Sequence, residues 1–323
     1  MKMKTDHKPI LITGAPRGGT TFVGKMLSLS PEVGYIHEPF NKEYGLKNIK
    51  SNFQFLHANH CEIGVYESSL EQLLLKKGIF KRIPISYLLR GNKSIYKRLM
   101  NFVGWTLIKS RPNYIYKKAK LNPLVKRFLI KDPMLLFSTE WIVNNYDFEI
   151  VMVVRHPAAF VSSLKRLNWQ FDFHTLKNQR ELLETYPTLR QLLEEIDEES
   201  LSNIEKWAFL WNCYNSFIYD ISQKYPSIKV VRHEDLSKFP IEEFEKLYKH
   251  LNINFTEKIK SQLKVYTGEE NPTNPIKNNV HTLKRNSREN VKRWKSNLSK
   301  KEISEIKEIT NEVSNYFYDD SDW

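Results

Sequence analysis

The sequence predicts an α/β chain, a three-layer αβα sandwich with a central parallel sheet and a helical insertion, and three observations carry that reading. Short β-branched runs alternate with stretches of helical apolar periodicity, the pattern of successive βαβ units. The first run, within ILITGAPRGGTTFVGKML at residues 10–27, turns through glycines straight into a helix. Residues able to hold an anion fall at the carboxyl ends of successive strands, where open parallel sheets bind their ligands. At 323 residues, 41% of them hydrophobic, the chain can bury a large core. No repeat and no dividing linker is visible, so a single domain over 1–323 is expected.

In chain order, KPILITGA (8–15) reads as the first strand and Gly19 to about residue 29 as the first helix. VGYIHEP gives a second strand ending near Glu38. From about 41 to 127 the chain is basic and aromatic without strand rhythm, which predicts a helical insertion. RFLIKDP is the third strand with MLLFSTEWIVNNY as its helix, and FEIVMVVRHP the fourth with AAFVSSLKRL. Residues 168–200, ending in the acidic EEIDEES, read as a polar and peripheral helical excursion. NIEKWAFLWNCYNSFIYDISQKY has the periodicity of a long packed helix, and SIKVVRHEDL returns to a strand followed by two shorter helices. The loop TGEENPTNPIKNN precedes a last helix, opened by the capping box Ser299 with Glu302 and burying Ile303, Ile306 and Ile309.

The charge is uneven. Lys and Arg number 50 against 37 Asp and Glu, a net +13, yet residues 72–131 hold no acid at all and 16 Lys or Arg, with aromatics interleaved. Such a field attracts polyanions or an anionic membrane face, the plain alternative being a solvated basic surface with no partner. The two cysteines, Cys61 and Cys213, match no metal-ligand spacing and read as buried thiols in a reducing compartment. No apolar run reaches the roughly 18–20 residues of a spanning helix. MKMKTDHKP enters a strand without the apolar core of a signal peptide, so a cytoplasmic location is expected, with peripheral association at the inner membrane face.

Aligned on Gly14, the first loop fits the phosphate-binding pattern G-x-x-x-x-G-K-[ST] at every place but one, because Thr20 stands where the lysine should be. Its glycines, Gly18 and Gly19 among them, let backbone N–H groups point at an anion. The helix start adds its positive end, and Thr20 and Thr21 add hydroxyls. Arg17 supplies a cation from before these glycines instead of after them. A tight βα turn alone would need neither the arginine nor two threonines.

PRGGTTF resembles the 5′-phosphosulfate loop of sulfotransferases that use 3′-phosphoadenosine 5′-phosphosulfate (PAPS). Their second signature is an Arg at a strand end with a Ser eight residues on, and VVRHPAAFVSSLKR carries Arg155 and Ser163 at that spacing. The resemblance implies a P-loop NTPase-like fold, PAPS as donor and the bisphosphate PAP as product. Arg17 would bridge the 5′-phosphate and the sulfuryl group, Gly18, Gly19, Thr20 and Thr21 would surround the 5′-phosphate, and Arg155 with Ser163 would bind the 3′-phosphate. Phe22 stands where the family often has a ring against adenine, or else is a core residue of the helix. VVRHEDL is similar to a late-strand Y-E-D-[LM] pattern, with His233 in the aromatic place and Glu234 and Asp235 as structural residues. NSRENVKRW is similar to the basic segment that closes over the 3′-phosphate; it nominates Ser287 and Arg288, with Glu289 replacing the family's glycine.

The branch acting on small phenols and steroids ends its third strand in Lys-Thr-His, where this chain has Lys131-Asp132-Pro133, so the lysine remains and the histidine is absent. Glycan and protein-tyrosine sulfotransferases often use a Glu at the end of the second strand. SPEVGYIHEPF offers Glu38 there, and PRGGTTFVGKMLSLSPEVGYIHEPF is most similar to the carbohydrate branch. His37 is the competing base, which strand alternation would turn away from whatever Glu38 faces. The implied reaction is in-line sulfuryl transfer to a hydroxyl of a saccharide, polysaccharide or glycolipid. Glu38 would be the base, Arg17 and Lys131 would stabilise charge on the departing oxygen, and the 41–127 insertion would shape the acceptor site. A sulfuryl group carries one less negative charge than a phosphoryl group, so no metal is required; no nucleic-acid partner is expected. Two other readings remain. One is a nucleotide kinase or NTPase with a variant loop, using Asp132 to hold its metal; the other is a non-catalytic basic protein that binds membranes or polyanions.

Overall fold

A computed structural model of the chain describes residues 7–82, 110–272, 284 and 286–323. Its strands are β1 (Ile10–Gly14), β2 (Val33–His37), β3 (Arg127–Lys131), β4 (Glu149–Val154) and β5 (Lys229–Arg232), and they form one parallel sheet in the order β2-β3-β1-β4-β5. The main helices are α1 (Thr20–Leu27), α2 (Ile63–Leu74), α3 (Arg111–Leu121), α4 (Thr139–Asn145), α5 (Pro157–Leu167), α6 (Asn203–Lys224), α7 (His233–Lys238), α8 (Pro240–His250), α9 (Glu257–Thr267), α10 (Ser287–Lys292) and α11 (Lys300–Ser314). β1 is buried along its whole length, as a central parallel strand covered on both faces should be. The alternation of strands and helices expected from the sequence is therefore present, with each strand a few residues shorter than its apolar run.

The chain divides into two compact units, Met1–Leu11 with Pro31–Phe148 and Ile12–Ser30 with Glu149–Trp323. In the first, β2 and β3 pair in register from Val33 opposite Arg127 to His37 opposite Lys131. The helix expected over MLLFSTEWIVNNY is broken. Asp132 caps a 3-10 turn over Pro133–Leu135, Ser138 donates to the Gln54 carbonyl, and α4 starts only at Thr139. The insertion is partly helical, through α2 and α3, and partly extended, with Leu46 bridging Phe80. Its stretch 83–109 lies outside the described residues.

In the second unit, α6 is the long packed helix that its periodicity predicts, opened by a capping box of Ser202 and Glu205. Residues 168–200 are not peripheral as expected. They form three short helices whose Leu176, Leu182, Leu189 and Leu193 are buried, and Tyr186 packs 4.7 Å from Phe217 of α6. The strand expected through HEDL stops at Arg232, and α7 begins at His233; three helices follow β5 instead of two. The capping box of Ser299 and Glu302 opens α11, where Ile306 is fully buried and Ile303 and Ile309 only half-buried. Of the two cysteines Cys213 is buried but Cys61 is exposed. Among the described residues no helix is long and apolar enough to cross a membrane.

Candidate active site

In the second unit the loop after β1 is shaped by its glycines. Gly18 donates to the Ala15 carbonyl at 2.9 Å, closing a turn, and Arg17 holds the left-handed conformation at φ 67°. Gly19 at φ 101° is the N-cap of α1, where no side chain caps the helix, so first-turn N–H groups are left for another acceptor. Neither end of this loop tolerates a side chain. Gly14 is at φ 140°, and a Cβ there would sit 2.5 Å from the Val153 carbonyl oxygen; one on Gly19 would sit 2.2 Å from the His233 ring. We expect Gly14→Ala to lose about 3 kcal/mol or more in urea unfolding, from strain and overpacking combined. A midpoint equal to that of the unaltered chain would show that β1 does not need this approach to β4.

Arg17, Arg155 and Ser163 are brought together by hydrogen bonds. Arg17 Nε donates to Ser163 Oγ at 3.3 Å, and Arg155 Nη1 donates to the Arg17 carbonyl at 3.0 Å. Arg155 Nε is buried with no hydrogen-bond partner among the described residues, a donor placed for a ligand. Burial lowers the Arg155 pKa, the charge of Glu234 opposes that, and the charges of Arg166 and Arg293 add to it. An arginine whose own charge is disfavoured by neighbouring guanidinium groups marks a place where an anion is stabilised. Thr20 is buried and Thr21 half-buried at the start of α1. Phe22 meets the edges of His233 and Phe244 at 5.7 and 5.6 Å.

One peptide unit places Arg155. Its carbonyl accepts from Trp211 Nε1 of α6 at 2.7 Å, and the N–H on the same unit, that of His156, donates to Glu234 Oε1 at 3.1 Å. Glu234 is itself buried and accepts from the Tyr318 hydroxyl at 2.9 Å, which gives it the structural role expected of it. The His156 ring stacks 4.9 Å from Trp294 and is neutral, because burial pushes its pKa down to about 3. Ser287 and Arg288 are engaged otherwise. Ser287 donates to the carbonyls of Ser237 and Thr267, while Arg288 donates to the Lys238 carbonyl and pairs with Glu269 at 3.2 Å.

In the first unit, Glu38 follows β2 in a left-handed conformation at φ 44°, its N–H donating to the Lys131 carbonyl at 2.8 Å. Its carboxylate is ion-paired with Lys131 Nζ and accepts from the Tyr44 hydroxyl and from Asn41 Nδ2. Burial alone would raise the Glu38 pKa, but the charges of Lys131 and His37 and the bonds from Lys131 and Tyr44 outweigh it and hold it at about 2. The alternation argument that separated His37 from Glu38 fails here, since Glu38 has left the strand conformation. His37 stacks on Tyr44 with ring centroids 6.4 Å apart, and Tyr44 bonds Glu38, so both residues meet the same ring. Asp132 is fully buried and accepts the N–H groups of Phe40 at 2.6 Å and Met134 at 3.0 Å, tying the exit of β2 to that of β3. Burial and then the Glu38 charge push its pKa up to about 7. A carboxylate so enclosed and so reluctant to ionise is poorly suited to the metal-holding role that the kinase reading gave it.

A family model described as the sulfotransferase family matches residues 9–257. The chain belongs to the sulfotransferase family. As a PAPS-dependent sulfotransferase it takes PAPS as donor and releases PAP, on the parallel α/β sheet already described. Similar solved structures include the sulfotransferase domain from the Synechococcus PCC 7002 olefin synthase, at 17% identity over 99% of each chain with a TM-score of 0.46. Mouse sulfotransferase SULT7A1 complexed with PAP is 10% identical over 97% of this chain and 86% of its own, TM-score 0.43. Retinol dehydratase in complex with retinol and PAP is 12% identical over 96% and 82%, TM-score 0.45. No curated protein matches the chain.

Four residues of this sulfotransferase stand close around the site residues without having been singled out for a site by the sequence: Tyr44, Trp211, Arg166 and Arg293. Trp211 acts through a single hydrogen bond to a carbonyl 56 residues away, and Tyr44 through one made from a loop to Glu38, and no spacing rule covers either. Arg293 lies in the nominated basic segment, five residues past Arg288, immediately before Trp294. The seating of Trp294 on His156 is what brings it toward Arg155.

Proposed function

We propose that this sulfotransferase moves the sulfuryl group to a hydroxyl of a saccharide, polysaccharide or glycolipid, with Glu38 as the base. The observation that carries this reading is an ionised carboxylate at the end of β2, paired with the lysine that ends β3, in a chain whose Lys131-Asp132-Pro133 lacks the histidine of the phenol and steroid branch. The acceptor hydroxyl gives its proton to Glu38 as its oxygen bonds to sulfur, and the bond from sulfur to the bridging oxygen breaks, releasing PAP. Lys131 and Arg17 stabilise the negative charge that gathers on the departing oxygen. The N–H groups at the start of α1, with Thr20 and Thr21, hold the 5′-phosphate, and Arg155 with Ser163 holds the 3′-phosphate. Arg293 and Arg166, whose charges bear on Arg155, close over that phosphate in the place first given to Arg288.

Held by Lys131 and Tyr44, the Glu38 carboxylate is a poor base. Drawing Lys131 toward the leaving oxygen removes the main charge that lowers the Glu38 pKa, and burial then raises it toward the range of an effective base. Calorimetric titration with PAP and with Mg-ATP tests the donor half of the reading. Tight PAP binding without ATP binding is expected, and the reverse would return the chain to the nucleotide-kinase class. Transfer of labelled sulfate to polysaccharide, glycolipid and phenol panels tests the acceptor half, and labelling of phenols alone would overturn it.

A further inference from the structure

The outward face of α3 has no part in donor or base chemistry. The helix is firmly built, with Ser110 Oγ accepting from the Asn113 N–H at the N-cap and Pro112 in the first turn. Its inward face buries Pro112, Asn113, Tyr116 and Ala119. Tyr116 fixes the packing: its hydroxyl accepts from the Gly78 N–H at 3.0 Å and donates to the Leu73 carbonyl at 3.3 Å. The opposite face, Arg111, Tyr114, Lys117, Lys118 and Leu121, is exposed at helical spacing, and Leu124 extends it just beyond the helix.

Cations alone would be an ordinary solvated surface. Here Leu121 is 76% exposed, Leu124 60% and Tyr114 51%, set among lysines in a stretch, 72–131, that holds no acid. A soluble polyanion would be satisfied by the cations and would leave these side chains in water. An anionic bilayer takes both, since lysine stems reach outward to headgroups while leucine and tyrosine enter the interface. We propose that this face docks the enzyme on an anionic membrane surface. One such face gives reversible attachment, because stable anchoring needs a second signal. The docking stands apart from the acceptor assignment, although a membrane-borne acceptor would benefit from it.

The test is sedimentation of the full chain with mixed phosphatidylglycerol–phosphatidylcholine vesicles and with pure phosphatidylcholine vesicles. Binding is expected only to the anionic vesicles and should weaken as salt rises. Lys117→Gln with Lys118→Gln, and separately Leu121→Asn with Leu124→Asn, should each lower partitioning about tenfold or more, with PAP titration unchanged in both. Absence of vesicle binding overturns the proposal. So does a leucine variant that binds like the unaltered chain while dextran sulfate displaces both, for the face would then be a site for soluble polyanions. Loss of PAP binding in the unaltered chain would strike at the sulfotransferase assignment and leave the docking result standing.

Discussion

Replacing Glu38 with Gln is expected to lower sulfuryl transfer by about 10² to 10⁴-fold while PAP binding stays near its original strength, because proton acceptance is lost and the donor contacts are not. The substitution also leaves Lys131, 1% exposed, without its counter-ion, which by itself destabilises the fold by roughly 3–5 kcal/mol. The double variant Glu38→Gln with Lys131→Met separates the two effects. It should recover much of the lost stability and remain inactive. Near-normal turnover of Glu38→Gln would move the base elsewhere, to His37 first, since that ring shares Tyr44 with Glu38.

Glu38 and Asp132 both make stability depend on pH. Glu38 is held at about 2, below its ordinary 4.5, so its contribution is fully present above pH 4.5 and is lost as pH falls toward 2. Asp132 is pushed from 3.8 to about 7, so its protonated form suits the fold, and its contribution is lost as pH rises from about 4 through 7. Part of the Asp132 rise comes from the Glu38 charge, and Glu38→Gln should therefore move the neutral-pH slope of the unfolding free energy to lower pH. A slope unchanged by that substitution would mean that the two carboxyls do not interact.

Arg155→Ala is the second large effect. PAP should bind about 30- to 1000-fold more weakly, as when one partner of a buried charge-assisted contact is removed. AMP, which lacks the 3′-phosphate, should lose far less, and the difference between the two ligands isolates the phosphate from any general damage to the loop. Arg155→Lys should fall between, since a lysine keeps the charge but not the fork that serves both the Arg17 carbonyl and a phosphate. Equal losses for PAP and AMP would remove Arg155 from the 3′-phosphate.

Much of the donor site was legible because its parts are local. PRGGTT is contiguous, and Arg155 with Ser163 spans one strand end and the helix after it, so resemblance to a family signature of fixed spacing could nominate the pair. Glu38 and Lys131 were legible as ends of strands that proved to be neighbours in register. Asp132 could have been found as a cap, since an Asp directly before Pro at the start of a helical pattern is a known signal. Tyr44 and Trp211 could not, for each makes one bond from a loop or a long helix. The arginine of the basic segment was undecidable from sequence, where several bases lie within one helical turn of one another. Residues 168–200 were misread because their mean polarity hides Leu182, Leu189 and Leu193, which a count by helical spacing would have recovered.

The peptide unit between Arg155 and His156 has a consequence for when ordering is charged to the molecule. Held at its carbonyl by Trp211 and at its N–H by Glu234, that unit keeps no backbone freedom for a ligand to remove. The conformational entropy of fixing it, about 1–2 kcal/mol per residue, is spent when the chain folds, and only the side-chain torsions remain to be settled at encounter. Selection for donor affinity at this position therefore acts on the long helix α6 and on the turn into α7 as much as on the arginine itself.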